Sequence, residues 1–541
     1  MKGKPRGKNT APPVLSSKAR HALRKQFSQV LFYLFLLLLV LAPLPLGSNR
    51  EWSWSLLSLL TGGIAVLWAL LHVIPESAAP HTPVIPESAE SAYPGSPNSQ
   101  RAQGHVQSDG GSWEIPGQAR GDGDAQDKRY QTPWPILLIG MTFLAVIAWA
   151  LFQASPWALP DWGHPLWGLA AEVLHGDSSA ALARISLAPD DTFTAAMRLL
   201  CYGLVFWLAF HWGRDERLAR RTLQWLVAAG IAYALYGLYN FWSGSETFFW
   251  FENPGYKNDV RGTFVNRNHY ANYTGLLLLC ALVLFYQKVV LEGAAPPRLP
   301  PGMRIPRGGR ATTKAERLEQ FALLVWKPLL VILLLSTALI LSHSRGGFLS
   351  TLAGAGVLLA CVHYRRRIRS ARSAAVIALA AGFAAISFWL TSEVLLQRID
   401  TQGLSDNLRF SAYELIRESS AENPALGFGY GTFADSFRLY RTDDITGYLD
   451  RAHNTYLENI FELGWPAALL LFAAIGSCAV ICWHGLRRRG KDWLYPALGL
   501  AVTALSAIHA WFDFSLQMPA VAVTYAALLG VACAQSYSSR Q

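Results

Sequence analysis

Arg451-Ala-His-Asn-Thr-Tyr-Leu-Glu-Asn-Ile-Phe-Glu-Leu-Gly464 is where a long polar stretch, residues 392–457, runs into a strongly apolar one that begins at about Ile460. A segment of that kind reads as a water-exposed loop re-entering a membrane. His453 then sits at the boundary, where a titratable imidazole can meet both a lipid-borne group and a soluble one. The rest of the chain reads as a scaffold of helices that holds this histidine opposite arginines on the same membrane face.

Composition supports a membrane reading. Of the 541 residues, 52% are hydrophobic and 15% charged, with mean hydropathy +0.22. Soluble domains carry about 25% charged residues, so the deficit over this length points to a polytopic membrane protein. The formal net charge of +11 would suggest nucleic-acid binding in a soluble protein. In a membrane protein it reads as basic loops on the cytoplasmic side, with no nucleic-acid partner. All six cysteines fall inside or at the ends of apolar runs, and none has a zinc-like spacing with histidine. Neither a disulfide framework nor a metal site is supported. The first apolar run lacks a small-residue cleavage site, so no cleavable signal peptide is expected.

A spanning helix needs about 20 apolar residues. Twelve candidates meet this loosely: 29–47, 54–74, 134–153, 195–213, 223–243, 270–290, 328–343, 347–363, 374–391, 459–483, 493–510 and 518–535. The fold class is therefore all-α, a polytopic membrane protein of about 12 transmembrane helices with a large periplasmic loop. With the N-terminus inside, the cytoplasmic segments hold 34 of the 47 Lys and Arg residues, including Arg365-Arg-Arg-Ile-Arg369 and Arg487-Arg-Arg489. That asymmetry satisfies the positive-inside rule. Both termini are then cytoplasmic.

The chain divides into residues 1–74 (a cytoplasmic tail and two spans), 75–133 (a low-complexity insert), 134–391 (the helical core with arginine-bearing outer loops), 392–457 (the large outer loop) and 458–541 (the last spans). The insert is rich in Pro, Gly, Ser and Gln and repeats Val-Ile-Pro-Glu-Ser-Ala at 73–78 and 84–89. It has few apolar residues to bury, so disorder is the expectation. On the outer face, Trp157, Trp162 and Trp167 suit the membrane interface. In the large loop, Ser405 or Asp406 reads as an N-cap, with Leu408, Ala412, Leu415 and Ile416 at helical spacing. That helix should stop before Pro424. One or two amphipathic helices are expected against the outer membrane face, tied by the glycine-rich turn Gly427-Phe-Gly-Tyr-Gly431. A dinucleotide reading of this turn is weak, because no strand precedes it.

Arg345 lies between two apolar runs, in His343-Ser-Arg-Gly-Gly347. Charge in a membrane is expensive and usually functional. Glycines let backbone approach a ligand, and a guanidinium can grip a diphosphate in bidentate fashion. The bland alternative is an interface anchor that snorkels to headgroups. Arg261 and Arg267 bracket Asn266 just before a span, with Asn268 and His269 following. Two cations with amides between them suit a phosphate-rich headgroup; equally, they suit a polar helix cap. An unperturbed imidazole has a pKa of ~6.5 and accepts a proton near neutral pH, which makes His453 the candidate general base. Its alternative is a helix-start histidine bonded to backbone. Asn454 either orients it or caps the following helix. Glu458 and Glu462 either orient or replace it as base, or are solvated. Asp513 is a further acid on the same face.

At Arg261-Gly-Thr-Phe-Val-Asn-Arg-Asn-His-Tyr270, Ser342-His-Ser-Arg-Gly-Gly347, Asn423-Pro-Ala-Leu-Gly-Phe-Gly-Tyr-Gly-Thr-Phe433, His453-Asn-Thr-Tyr-Leu457 and Asp513-Phe-Ser-Leu-Gln-Met-Pro519, the chain resembles the bacterial O-antigen ligase superfamily, the Wzy-polymerase C-terminal family. The resemblance covers roughly residues 134–535. It implies a GT-C-like glycosyltransferase of the bacterial inner membrane with a periplasmic active face. Such an enzyme takes a glycan from undecaprenyl diphosphate to a hydroxyl on lipid A–core, another glycan or a protein. No metal, nucleotide or other cofactor is implied. Carried onto this chain, Arg345 and one of Arg261 or Arg267 bind the diphosphate, and His453 activates the acceptor. A Wzy-type polymerase or a protein O-oligosaccharyltransferase shares these motifs. A transporter is the reading from another class. It is disfavoured because the ionisable residues gather at one face rather than at the midplane of paired broken helices.

Overall fold

The computed structural model describes residues 17–73, 132–176, 184–244, 247–248, 251–252, 258–292, 314–366, 403–442 and 449–537. Its helices are α1 Ser17–Leu41, α2 Glu51–Val73, α3 Trp134–Ala154, α4 Pro165–His175, α5 Pro189–Gly213, α6 Glu216–Ser243, α7 Arg267–Tyr286, α8 Lys314–Ile340, α9 Arg345–Arg366, α10 Gly403–Ser420, α11 Phe433–Phe437, α12 Thr455–Arg488, α13 Leu494–His509 and α14 Pro519–Ser536. A two-residue hairpin pairs Thr247 with Glu252 and Phe248 with Phe251. The chain is an all-α polytopic membrane protein.

Among the described residues, nine helices are long and apolar enough to cross a membrane, and Leu494–His509 is a shorter apolar helix. The expected span 223–243 becomes part of the 28-residue α6. Its apolar stretch carries Tyr233, Tyr236, Tyr239 and Asn240, and α6 is not among the nine. The expected span 374–391 and nearly all of the insert 75–133 lie outside the described residues.

Several boundaries move for identifiable reasons. The first span was expected to run to residue 47. Instead α1 ends at Leu41, because Pro43 and Pro45 cannot continue a helix, and Gly47 turns the chain with φ 70°. The span expected to start at residue 328 begins much earlier, and Pro328 lies inside α8. A proline within a membrane helix is tolerated where its surroundings satisfy the freed carbonyl. Ser405 and Asp406 were expected at an N-cap. They fall inside the described part of α10, which ends before Pro424 as expected.

The centre of the bundle is α7 and α14. Of their most apolar windows, 78% and 89% are buried, against 11% for α2. Small residues explain the place of α14, Pro519-Ala-Val-Ala-Val-Thr-Tyr-Ala-Ala-Leu-Leu-Gly530, since helix interfaces in membranes close through them. A methyl group built on Gly530 would meet the Phe206 carbonyl of α5 at 2.5 Å. The two helices therefore approach to backbone distance.

The helix carrying the opening stretch is broken. Gly464 has φ 75° and ψ 162°, and Pro466 follows. The break leaves carbonyls unpaired, and such groups must find partners when buried. The glycine-rich turn supplies them. Phe428 N–H donates to the Phe461 carbonyl at 3.1 Å, and Gly429 N–H donates to that of Glu462 at 3.0 Å. Trp149 Nε1 donates to the Leu463 carbonyl at 2.9 Å. The turn fits only because every second residue lacks a side chain: Gly427, Gly429 and Gly431 have φ of 70°, 109° and 85°, and a Cβ on Gly427 would lie 2.3 Å from the Glu462 carbonyl oxygen. This docking holds a cluster of Phe428, Phe433, Phe437 and Phe461 against Ala412 and Ile416 of α10.

Candidate functional site

His453 is the last residue before the Asn454 cap of α12, and it sits at φ 52°. The Asn454 side chain accepts hydrogen bonds from Tyr456 and Leu457 N–H, both at 3.1 Å. It is therefore the helix cap of the two roles open to it. Tyr413 Oη of α10 donates to the His453 carbonyl at 2.9 Å. Just beyond, Thr455 N–H donates to the Ala510 carbonyl at 2.9 Å, and its hydroxyl donates to the Asp513 carbonyl at 3.0 Å. Bonds on both sides thus fix the histidine backbone against the turn that follows α13.

Asp513 is that turn's carboxylate. It is buried, with Oδ1 accepting from Phe514 N–H at 2.8 Å. His453 Nδ1 lies 3.4 Å from Oδ1, and His269 Nε2 lies 3.7 Å from the same oxygen. The Phe514 ring meets both imidazoles edge-on, at 5.0 Å and 4.6 Å. Burial opposes ionisation of Asp513, but the nearby imidazoles of His269, His453 and His509 outweigh it and hold the carboxyl well below the usual carboxylate range. His269 Nε2, His453 Nδ1, both ring nitrogens of His509 and Asp513 Oδ2 are buried without a hydrogen-bond partner.

Arg345 opens α9 behind the Ser344 cap, whose hydroxyl accepts from Gly347 N–H at 3.1 Å. Its turn wedges between the two other parts of the site. A Cβ on Gly346 would lie 4.0 Å from His509 Nε2, and one on Gly347 would lie 2.4 Å from the Ala271 Cβ of α7. At Gly347 only a glycine allows that approach, whereas a Cβ on Gly346 would make ordinary van der Waals contact. Asn266 caps α7 by accepting from Asn268 N–H at 2.8 Å. Asn268 Oδ1 in turn accepts from the Ser344 hydroxyl at 2.7 Å. Arg267 Nη1 is 2.7 Å from Asp259 Oδ2, and Arg261 is buried. The starts of α7, α9 and α12 and the turn after α13 therefore meet at one end of the bundle.

Glu458 and Glu462 serve other partners. Glu458 accepts from Arg451 Nη1 at 3.0 Å and from Ala452 N–H at 2.8 Å. Glu462 accepts from Phe433 N–H at 3.0 Å, below the glycine turn. Both are buried, so neither is the solvated carboxylate that the sequence left open, and both shape the loop that delivers His453. Residues that sequence reasoning missed are Asp259, Tyr413 and Gln153. Each acts across the fold: buried Gln153 donates to the Leu426 and Glu462 carbonyls at 2.6 and 2.9 Å and accepts from Tyr430 N–H at 3.1 Å. Nothing in the local sequence marks them. Among the described residues, no group of three or more His, Cys, Asp or Glu side chains is placed to hold a metal ion.

Fold and site together define a multi-pass membrane protein with a histidine, carboxylate and arginine cluster at one end of its bundle. Residues 330–472 match the family model described as Wzy_C, O-antigen ligase. The match takes in Arg345 and His453, whereas Arg261, Arg267 and Asp513 lie outside it. No curated protein matches the chain.

Proposed function

We propose that this protein transfers a glycan from undecaprenyl diphosphate to an acceptor hydroxyl at the periplasmic face of the bacterial inner membrane. The carrying observation is that His453 lies beside buried Asp513, and that His509, another neighbour of Asp513, lies beside the glycine-flanked Arg345 turn. The O-antigen ligase match over 330–472 supports the same chemistry.

In this reading His453 takes the proton of the acceptor hydroxyl as its oxygen bonds to the anomeric carbon. The bond from that carbon to the diphosphate oxygen breaks, and undecaprenyl diphosphate leaves with the electron pair. A positioned base contributes typically 10²–10⁴-fold. Arg345 and one of Arg261 or Arg267 stabilise the charge that grows on the leaving oxygen, and one such donor can be worth ~3 kcal/mol. Attack opposite the leaving group inverts the anomeric centre; a product with the donor's configuration would contradict this step.

The acceptor is named by a deletion strain: whichever of lipopolysaccharide, exopolysaccharide or glycoprotein loses its glycan on gels. Complementation with His453→Ala or Arg345→Ala should fail to restore it. Full restoration by both variants would overturn the transferase reading and favour a transporter. A polymerase and a ligase separate on the same gels, because loss of polymerisation leaves single repeat units attached to the acceptor.

A further inference from the structure

One carboxylate joins the two arginine-bearing loops. Asp259 Oδ2 accepts from Arg267 Nη1 at 2.7 Å, and its Oδ1 lies 2.8 Å from His343 Nδ1. A carboxylate offers only acceptors, so Nδ1 carries the proton in that contact. His343 stands two residues before Arg345, in the turn between α8 and α9, at φ 51°. The Asp259 side chain is 4% exposed, while those of Arg267 and His343 are 17% and 14% exposed. The buried group is thus the anchor, and the groups it holds reach toward the rim.

The backbone does not need this carboxylate to close. Val260 N–H already donates to the Leu341 carbonyl at 2.9 Å, and the Ser344 hydroxyl already donates to Asn268. Asp259 contacts two side chains, Arg267 and His343, and orients both. Electrostatically it works against anion binding, since it offsets the charge of a guanidinium beside the proposed diphosphate site. A group that costs attraction for the ligand yet holds its binding cation in one pose is placed for alignment.

We propose that Asp259 is a positioning residue: it aligns the Arg267 guanidinium with the His343–Arg345 turn, so that both arginines meet the donor diphosphate as the glycosidic bond breaks. This rests on the transferase reading above, and it deepens that reading by selecting Arg267 as the second diphosphate cation.

The test uses membranes of the deletion strain carrying the full-length chain, with transfer measured while the polyprenyl-diphosphate-linked glycan that accumulates in that strain is varied. Asp259→Asn should lower kcat about tenfold or more, as misalignment does, while KM for the donor stays level or falls, because a negative charge has gone. Asp259→Glu should recover part of the lost kcat. In a double-mutant cycle with Arg267→Lys, the effects should be non-additive, as they are for groups acting as one unit. A merely structural role would instead cut the amount of folded protein and leave kcat per molecule unchanged. That result, full activity in Asp259→Asn, or a raised KM at constant kcat would overturn the inference. A wild-type chain that transfers no glycan would overturn the transferase reading itself, and this inference with it.

Discussion

His453 Nδ1 and Asp513 Oδ1 lie 3.4 Å apart, brought together by the bonds that Thr455 makes to Ala510 and Asp513. A carboxylate beside one imidazole nitrogen can orient the ring and leaves the other nitrogen for chemistry. Asp513→Asn should therefore lower glycan transfer roughly tenfold or more, short of the 10²–10⁴ that loss of a base itself costs. The check is transfer rate per folded molecule. Unchanged rates in Asp513→Asn would remove the carboxylate from the mechanism.

The same carboxyl gives a pH signature. Its pKa in the folded chain is held well below the ordinary carboxylate range, whereas in the unfolded chain it returns to about 3.9. A depressed folded value means that the stabilisation is present above the unfolded pKa and is lost as pH falls through the folded one. Thermal unfolding in detergent should show wild type more stable than Asp513→Asn at neutral pH, with the gap narrowing in acid. A gap that widened in acid would reverse the assigned sign.

Fully buried Glu458 pairs with partly buried Arg451, their side-chain exposures being 0% and 20%. Removing one partner of such a pair typically costs about 3–5 kcal/mol, because the other charge is left uncompensated. Glu458→Gln should therefore lower the amount of folded protein in the membrane, while the folded fraction keeps its rate within a few-fold. The opposite pattern, normal yield with abolished transfer, would restore Glu458 as a candidate base.

Much of the bundle was legible because its signal is local. Apolar runs such as 134–153 and 518–535 carry the length that a bilayer demands, and helices occupy them almost residue for residue. Arg345 and His453 were legible because a charge or imidazole at the edge of such a run is conspicuous. Breaks were harder. Pro328 looked like a boundary but is absorbed in α8, while Gly464 looked like part of a continuous span but breaks it. The difference lies in tertiary partners: the chain at 424–431 is shaped to satisfy the second break. Asp259 and Gln153 were invisible for the same reason, since their partners are distant in sequence and their own surroundings are ordinary.

The glycine turn gives the sharpest structural prediction. Trp465 N–H donates to the Pro424 carbonyl at 2.8 Å, and a Cβ on Gly464 would lie 2.4 Å from the Ala425 carbonyl oxygen. At Gly427 a Cβ would both clash with the Glu462 backbone and require the left-handed conformation. Residues held in such conformations cost of order 1–3 kcal/mol before any clash is counted. Gly427→Ala should therefore lower the unfolding temperature in detergent and loosen the loop that presents His453, so that transfer falls with stability. Gly476, in the spanning part of α12, has nothing within 4 Å of its would-be Cβ. Gly476→Ala should leave stability and transfer unchanged or slightly improve the helix, since alanine is about 1 kcal/mol better than glycine there. Equal behaviour of the two variants would mean that the docking of the turn into the broken helix does not hold the site together.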